Sequence, residues 1–399
     1  MSRILVVSPY RTEYGPREVL DHVLRALVMA DLEPVALMPP GARPPAAIAE
    51  LDLPTEHVER LGTVPRTVNP ARLGKFAGDH LAAARSITEI GRRLDAIAVY
   101  AISEATLCGS LSARSLGVPG FVHAIGMSIQ SPRITASVYI SALDRITDHL
   151  IACSSAVAEM FARFNVADSK ISVVHNGISV ARVDERAKVP PALNERRPRI
   201  GMVAAYDPRK GHDLFVAAAA RLAETEPDAV FYLIGGTLAG HAESRRYEQH
   251  IADLIEGLGL SSRFVHTGYV TAPDVYEWMR AMDVIVVPSR TEAFAHALLE
   301  AMACARPIVA TGIEGNLDAF VHGHSGLYAD STPEAVAAHV LSYLRDPAFA
   351  AEVGRQARDR VSLLFDLSAT LPANAAVVLD ALESTAPTVS PSDPSFRGR

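Results

Sequence analysis

Short runs of apolar, mostly β-branched residues alternate with longer segments of helical periodicity along nearly the whole chain. Residues 4–7 (Ile-Leu-Val-Val) read as a strand, followed by a helix over about 17–29 and a second strand at 35–37. Beyond a loop carrying Pro39, Pro40, Pro44 and Pro45, a long helix is predicted over about 73–94. Strands follow at 96–100, 120–123, 149–152 and 171–174, with a helix ending near Leu116. Strands separated by helices of this length need crossover connections, and crossovers build a parallel sheet.

The alternation breaks at about 180–199, a charged, proline-rich stretch containing Lys188, Pro190, Pro191, Glu195 and Pro198. It restarts with strands at 200–204, 229–234, 264–267, 284–287 and 308–310. Two consecutive α/β halves predict two Rossmann-like, doubly wound parallel-sheet domains. The first is placed at 1–185 and the second at 199–365, with a linker at 186–198, a further helix at 366–383 and a disordered Ser/Pro-rich tail at 384–399. By periodicity alone, one large α/β domain remains the alternative.

Composition narrows the class. A chain of 399 residues exceeds one ordinary core. With 49% hydrophobic and 21% charged residues it is globular. A net charge of −7 leaves no nucleic-acid footprint. Cys108, Cys153 and Cys304 are far apart and form no CxxC pair, which fits a reducing, cytoplasmic setting. The apolar run at the N-terminus is too short for a signal peptide, and no run approaches the roughly 18 apolar residues of a membrane span.

The most informative stretch is 292–307. Glu292 falls in a strand-to-helix loop at the carboxyl edge of a predicted parallel sheet, where such folds bind ligands. Glu300 follows eight residues later, slightly more than two turns, on roughly the same face. Two stacked carboxylates can accept paired hydrogen bonds from the vicinal hydroxyls of a sugar and a ribose. By spacing alone, an acidic helix start and a solvated helix glutamate are the commoner reading. The surrounding residues reverse it: Glu292, Phe294, Glu300, Ala301, Met302, Ala303, Cys304 and Pro307 match the E-x7-E motif of glycosyltransferase family 4. The segment resembles that family closely, with Ala295 and Ala305 where the family carries glycines.

The resemblance implies the GT-B fold, in which the two domains face a central cleft, and a retaining glycosyltransferase fed by a nucleotide sugar. It assigns Glu292 to the donor sugar and Glu300 to the ribose. Lys210-Gly211 is similar to the family's basic loop before a helix, where a lysine and free N–H groups favour a diphosphate. Ala205 replaces the arginine usual five residues earlier, and Arg209 is the candidate substitute. Gly235, at the end of a strand, leaves room for a ligand; Gly268 and Tyr269 resemble the segment bordering the base. Gly315, Asn316 and Leu317 resemble the glycine-rich loop whose N–H groups form an anion nest, with Asp318 as the acidic residue beyond.

In the first half, Tyr14-Gly15 resembles a G-G loop approaching the diphosphate, and Glu18 belongs to the helix that follows. His123 resembles the strand-end histidine beside the reacting sugar, and His175-Asn176-Gly177 resembles the close of the first domain. The helix at 366–383 is expected to return to the first domain. Catalytic roles fall to His123, Glu292 and Lys210. The chain has no D-x-D triplet, so neither a metal nor another cofactor is expected, and the sugar nucleotide is a co-substrate. A UDP-sugar is the first expectation for the donor and an unspecified sugar, cyclitol, lipid-linked or natural-product hydroxyl for the acceptor. Alternatives of the same fold are a nucleotide-sugar epimerase, a pseudo-glycosidic coupling enzyme, or a non-catalytic sugar-nucleotide-binding protein.

Overall fold

The computed structural model describes residues 2–11, 15–62, 70–126, 133–185, 193, 197–237, 241–270 and 272–385. Tyr14, most of the expected linker and nearly all of the expected tail lie outside the described residues.

The chain folds as two parallel sheets, each covered by helices on both faces. The first contains β1 (Ser2–Val7), β2 (Leu32–Met38), β3 (Thr55–His57), β4 (Ala98–Ile102), β5 (Gly120–Ala124), β6 (His149–Ala152) and β7 (Ile171–Val173), in the order β3-β2-β1-β4-β5-β6-β7. Order reverses beside β1, the kind of switch point that opens a crevice at the strands' carboxyl ends. Alternation along β1 sends Ile4 and Val6 to one apolar layer and Leu5 and Val7 to the other. The first layer is closed by α1 (Pro16–Met29), the second by α3 (Pro70–Leu94) and α4 (Leu107–Leu116).

The second sheet runs β10-β9-β8-β11-β12-β13, from β8 (Arg199–Val203), β9 (Val230–Ile234), β10 (Phe264–Gly268), β11 (Val284–Val287), β12 (Ile308–Thr311) and β13 (Leu327–Ala329). Along β9, Phe231 and Leu233 join one core layer and Val230, Tyr232 and Ile234 the other. That second layer continues into the first domain, linking Phe294, Ala295 and Leu298 with Val122, Ala124 and Ala152.

Three elements escape hydrophobic patterning. Strand β3 is polar and largely exposed, α2 (Ala46–Glu50) is a single short helix after Pro45, and β13 is three residues long. Strand β4 begins two residues later than its apolar run suggests and continues through Ala101 and Ile102. A short helix, α7 (Val180–Asp184), occupies the start of the pattern break, and Ser179 Oγ accepts the N–H of Arg182 as its cap.

After α12 (Pro333–Arg345) and α13 (Pro347–Leu364), the chain returns to the first domain as α14 (Leu367–Thr385). Helix α14 lies along α1 and places Val378 in the first domain's core. At the return, Ile178 N–H donates to the Phe365 carbonyl at 2.8 Å and Leu367 N–H donates to the Ile178 carbonyl at 3.0 Å. The Asp366 carboxylate accepts the N–H of Val180 at 2.9 Å.

Candidate active site between the domains

Strand β11 ends at Val287, and the turn at Pro288–Arg290 leads to Glu292 and then α11 (His296–Ala303). Glu292 Oε1 accepts from Lys210 Nζ at 2.6 Å and from Ser289 Oγ at 2.7 Å. Two residues singled out 82 positions apart thus form one charged pair at the cleft. Lys210 ends a 3₁₀ turn (Pro208–Lys210) capped by Asp207, and Gly211, at φ 74°, starts α8 (His212–Thr225).

Arg209 stays within electrostatic range of Glu292, but its guanidinium is gripped by Asp207 at 2.6–3.1 Å. Its charge is shared with Asp207, while Lys210 is the cation that meets Glu292. Glu300 lies one turn into α11, because the helix starts at His296 and Glu292 precedes it in the loop. Burial, and secondarily the charge of Glu18, raise its pKa to about 7. It is poised to exchange a proton near neutrality.

The glycine-rich segment behaves differently from expectation. Residues Glu314–Asn316 form a tight 3₁₀ turn in which the N–H groups of Asn316 and Leu317 donate to the carbonyls of Ile313 and Glu314. Those donors are engaged within the turn, not displayed as a nest. The Asn316 side chain is buried and donates to the Thr311 carbonyl at 3.4 Å, while Leu317 is half-exposed. Gly315 positions the neighbouring loop: a Cβ there would stand 1.9 Å from the Glu292 carbonyl oxygen. Gly235 similarly makes room for protein, because a Cβ would meet the Ala204 carbonyl oxygen at 2.1 Å. Gly268 ends β10 opposite Gly235, with Tyr269 beside it and 53% exposed. Phe294 is buried between the rings of His175 and Phe365, so its side chain braces the loop.

The two departures from the glycine pattern are not equivalent. Ala295, the N-cap of α11, has φ −76°, which any residue adopts. Ala305, just past the helix, has φ 52°, a left-handed conformation that strains an alanine.

From the first domain, His123 at the end of β5 is buried. Its Nδ1 is 2.9 Å from the Tyr100 hydroxyl, which in turn accepts from Asn374 Nδ2 on α14 at 3.2 Å. A buried tyrosine proton needs an acceptor, and Nδ1 is the one within reach, so the imidazole proton sits on Nε2. That atom has no hydrogen-bond partner, and His123 lines a cavity of about 20 Å³ with His22, His175 and Asn176. Burial, with the nearby charge of His22, lowers the pKa of His123 to about 4, so it is neutral at pH 7.

The domains meet around the Glu292 loop. Ser154 Oγ donates to the Ala293 carbonyl at 2.7 Å, and Gly126 lies against Ala293. Asp318 is turned across the boundary, accepting from Ser155 N–H at 2.6 Å and pairing with His175 Nε2 at 3.0 Å. Gly15 ends the loop before α1, and its missing Cβ would lie 3.7 Å from Cδ2 of His296. His296 Nδ1 pairs with Glu18 Oε2 at 3.0 Å. Sequence reasoning passed over His296 and Ser289; the available signal was a second ionisable residue, besides Glu300, in the otherwise apolar helix His-Ala-Leu-Leu-Glu-Ala-Met-Ala.

Two facing Rossmann-like domains form the GT-B architecture, with a Lys–Glu pair and a second glutamate on α11. The particular family follows from two matches: residues 15–182 match Glycosyltransferase Family 4, and residues 183–360 match Glycosyl transferases group 1. The chain belongs to glycosyltransferase family 4. It is 30% identical over 213 residues to D-inositol 3-phosphate glycosyltransferase of Pseudarthrobacter chlorophenolicus, covering 52% of this chain and 50% of that one. It is 32% identical over 246 residues to glycogen synthase of Mycobacterium tuberculosis, covering 60% and 56%. The alignments thus span about half the length of these curated relatives. Among solved structures, Anabaena HepE in complex with UDP superposes with a TM-score of 0.77 at 20% identity, covering 95% of this chain and all of that one. Sucrose-phosphate synthase from Thermosynechococcus elongatus gives 0.77 at 19% identity, covering 96% and 99%. No helix among the described residues is long and apolar enough to cross a membrane.

Proposed function

We propose that the chain transfers a glycosyl group from a nucleoside diphosphate sugar to an acceptor hydroxyl, with retention and without a metal. The observation that carries this is the contact between Lys210 and Glu292, with Glu300 one turn into the helix that follows. In this reading Glu292 accepts from the donor sugar's hydroxyls and Glu300 from the ribose. Lys210 exchanges its carboxylate partner for the diphosphate and stabilises the charge that grows on the leaving group. The bond from the anomeric carbon to the phosphate oxygen breaks as the acceptor oxygen bonds on the same face, and the acceptor proton passes to the leaving phosphate. His123, neutral and donating from Nε2, orients the sugar. The absence of a D-x-D triplet supports metal independence. UDP is the first choice of nucleotide because HepE is known in complex with UDP and UDP-glucose. The relatives' names point to a polyol acceptor such as an inositol phosphate or a growing glucan. Three free, buried cysteines fit cytoplasmic work.

A thermal-shift panel of uridine, guanosine, adenosine and thymidine diphosphates, with and without EDTA, tests the donor site. One nucleotide is expected to raise the melting temperature, with EDTA making no difference. Proton NMR of the transfer product should show the donor's anomeric configuration; inversion would overturn the mechanism.

A further inference from the structure

His296 has no role in the assignment above, yet its surroundings are unusual. It is the first residue of α11, an eight-residue helix whose N-cap, Ala295, supplies no side-chain cap. Across the domain boundary stands the start of α1, where Gly15 likewise supplies no side-chain cap and Pro16 opens the helix. Two helix N-termini, each favouring negative charge, therefore converge on this ring. Nδ1 is taken by Glu18, while Nε2 is buried and has no hydrogen-bond partner. Cδ2, the carbon next to Nε2, lies 3.7 Å from where a Cβ on Gly15 would stand, so that side of the ring packs against the start of α1.

The charged groups around the ring are Glu18 and His22 on α1, Glu300 on its own helix, Lys210 before α8, and Arg182 of α7 beyond Glu18. Burial disfavours the imidazolium, but the hydrogen bond and charge of Glu18 outweigh it, and the pKa of His296 stands above the ordinary value. Burial likewise opposes ionisation of Glu18, and His296 outweighs it, holding that carboxyl below its usual range. Burial, with the charge of His296, lowers His22 to about 4, so it adds no positive charge at neutrality. The ring thus has one nitrogen held by Glu18 of the opposite domain and a second without a partner, within electrostatic range of the lysine that meets Glu292.

We propose that His296 is a further donor-binding residue: its Nε2–H donates to the leaving phosphate of the nucleoside diphosphate sugar, while Glu18 holds the ring from the opposite domain. The inference rests on the donor reading above. It makes the phosphate the link between donor occupancy and closure, because the ring that holds the phosphate is itself held by α1. It also sets a pH limit. As pH rises through the raised pKa of His296 the cation is lost, and affinity for the diphosphate falls with it.

Calorimetric titration with UDP-glucose, whose diphosphate has no proton to lose near neutrality, tests this; uridine serves as the phosphate-free control. ADP-glucose and GDP-mannose replace UDP-glucose, with adenosine and guanosine as controls, if the wild type prefers another base. His296→Leu is expected to weaken the sugar nucleotide about 10- to 30-fold, the loss of one charge-assisted hydrogen bond, and to leave the nucleoside unchanged. His296→Gln, a neutral donor, should recover part of the affinity and lose the decline at high pH. Equal weakening of sugar nucleotide and nucleoside, or no weakening of either, would overturn the proposal while leaving the donor reading intact. If the wild type binds none of the three sugar nucleotides, the donor reading fails and the inference falls with it.

Discussion

The two halves of the site are built in opposite ways. On the second domain, the loop and helix from Glu292 to Glu300 are contiguous, and one long-range contact, to Lys210, completes them. On the first domain nothing is contiguous: His123 ends β5, its proton is directed by Tyr100 on β4, and Tyr100 is held by Asn374 of the returning helix. One half is a segment and the other a network. A segment survives in sequence as a motif. A network depends on which distant elements the fold brings together, and single residues within it look like ordinary core.

The largest effect should separate the halves outright. Glu292→Ala and Lys210→Ala are each expected to lower transfer roughly a hundred- to thousandfold, because each removes a charge aimed at the reacting groups. Tyr100→Phe should leave donor affinity intact, since it only releases the ring of His123, and should lower turnover at saturating donor. Steady-state kinetics with both substrates varied would check this. Equal damage to donor affinity by all three changes would erase the distinction.

A smaller effect concerns Glu300, where binding and stability pull apart. Its folded pKa of about 7 lies above the ordinary glutamate value of 4.5, so the folded state holds the proton more tightly than the unfolded chain. Stability from this group is therefore present below pH 4.5 and is lost as pH rises through about 7. Glu300→Gln should melt higher than the wild type at pH 8, by roughly 2 kcal/mol after discounting for partial exposure, and equally at pH 4. The same change should weaken UDP-glucose binding and remove the part of its pH dependence between about 6 and 7.5 that comes from ionisation of Glu300.

The smallest is local. Ala305→Gly relieves a left-handed alanine and is expected to add about 1 kcal/mol in denaturant unfolding without touching kinetics. Ala295→Gly, at an ordinary φ, should add nothing and slightly destabilise.

Legibility follows the same division. The alternation of apolar runs and helices carried both sheets, because strands buried on two faces are written as continuous Val, Ile and Leu. Strand β3 left no such record, since its Thr-Glu-His is mostly exposed. Within the site, the motif around them placed Glu292 and Glu300, but pairing decided the rest. Asp207 takes Arg209, His175 takes Asp318, and the turn at Glu314–Asn316 engages its own donors. Each of these is a partner choice made by side chains that periodicity cannot see. The Glu18–His296 pair is of the same kind, joining residues 278 positions apart that carry no shared pattern (296 − 18).

The chain's second crossing between domains has a mechanical consequence. Residues 178–180 leave the first domain alongside residues 365–367 returning to it, bonded to one another through main-chain groups and the Asp366 carboxylate. A single tether would leave the halves free to swivel in any direction. Two segments fastened side by side restrict that freedom. A cut in the connecting segment at 186–198 is expected to leave the two halves associated, because α14 of the second half packs along α1 of the first.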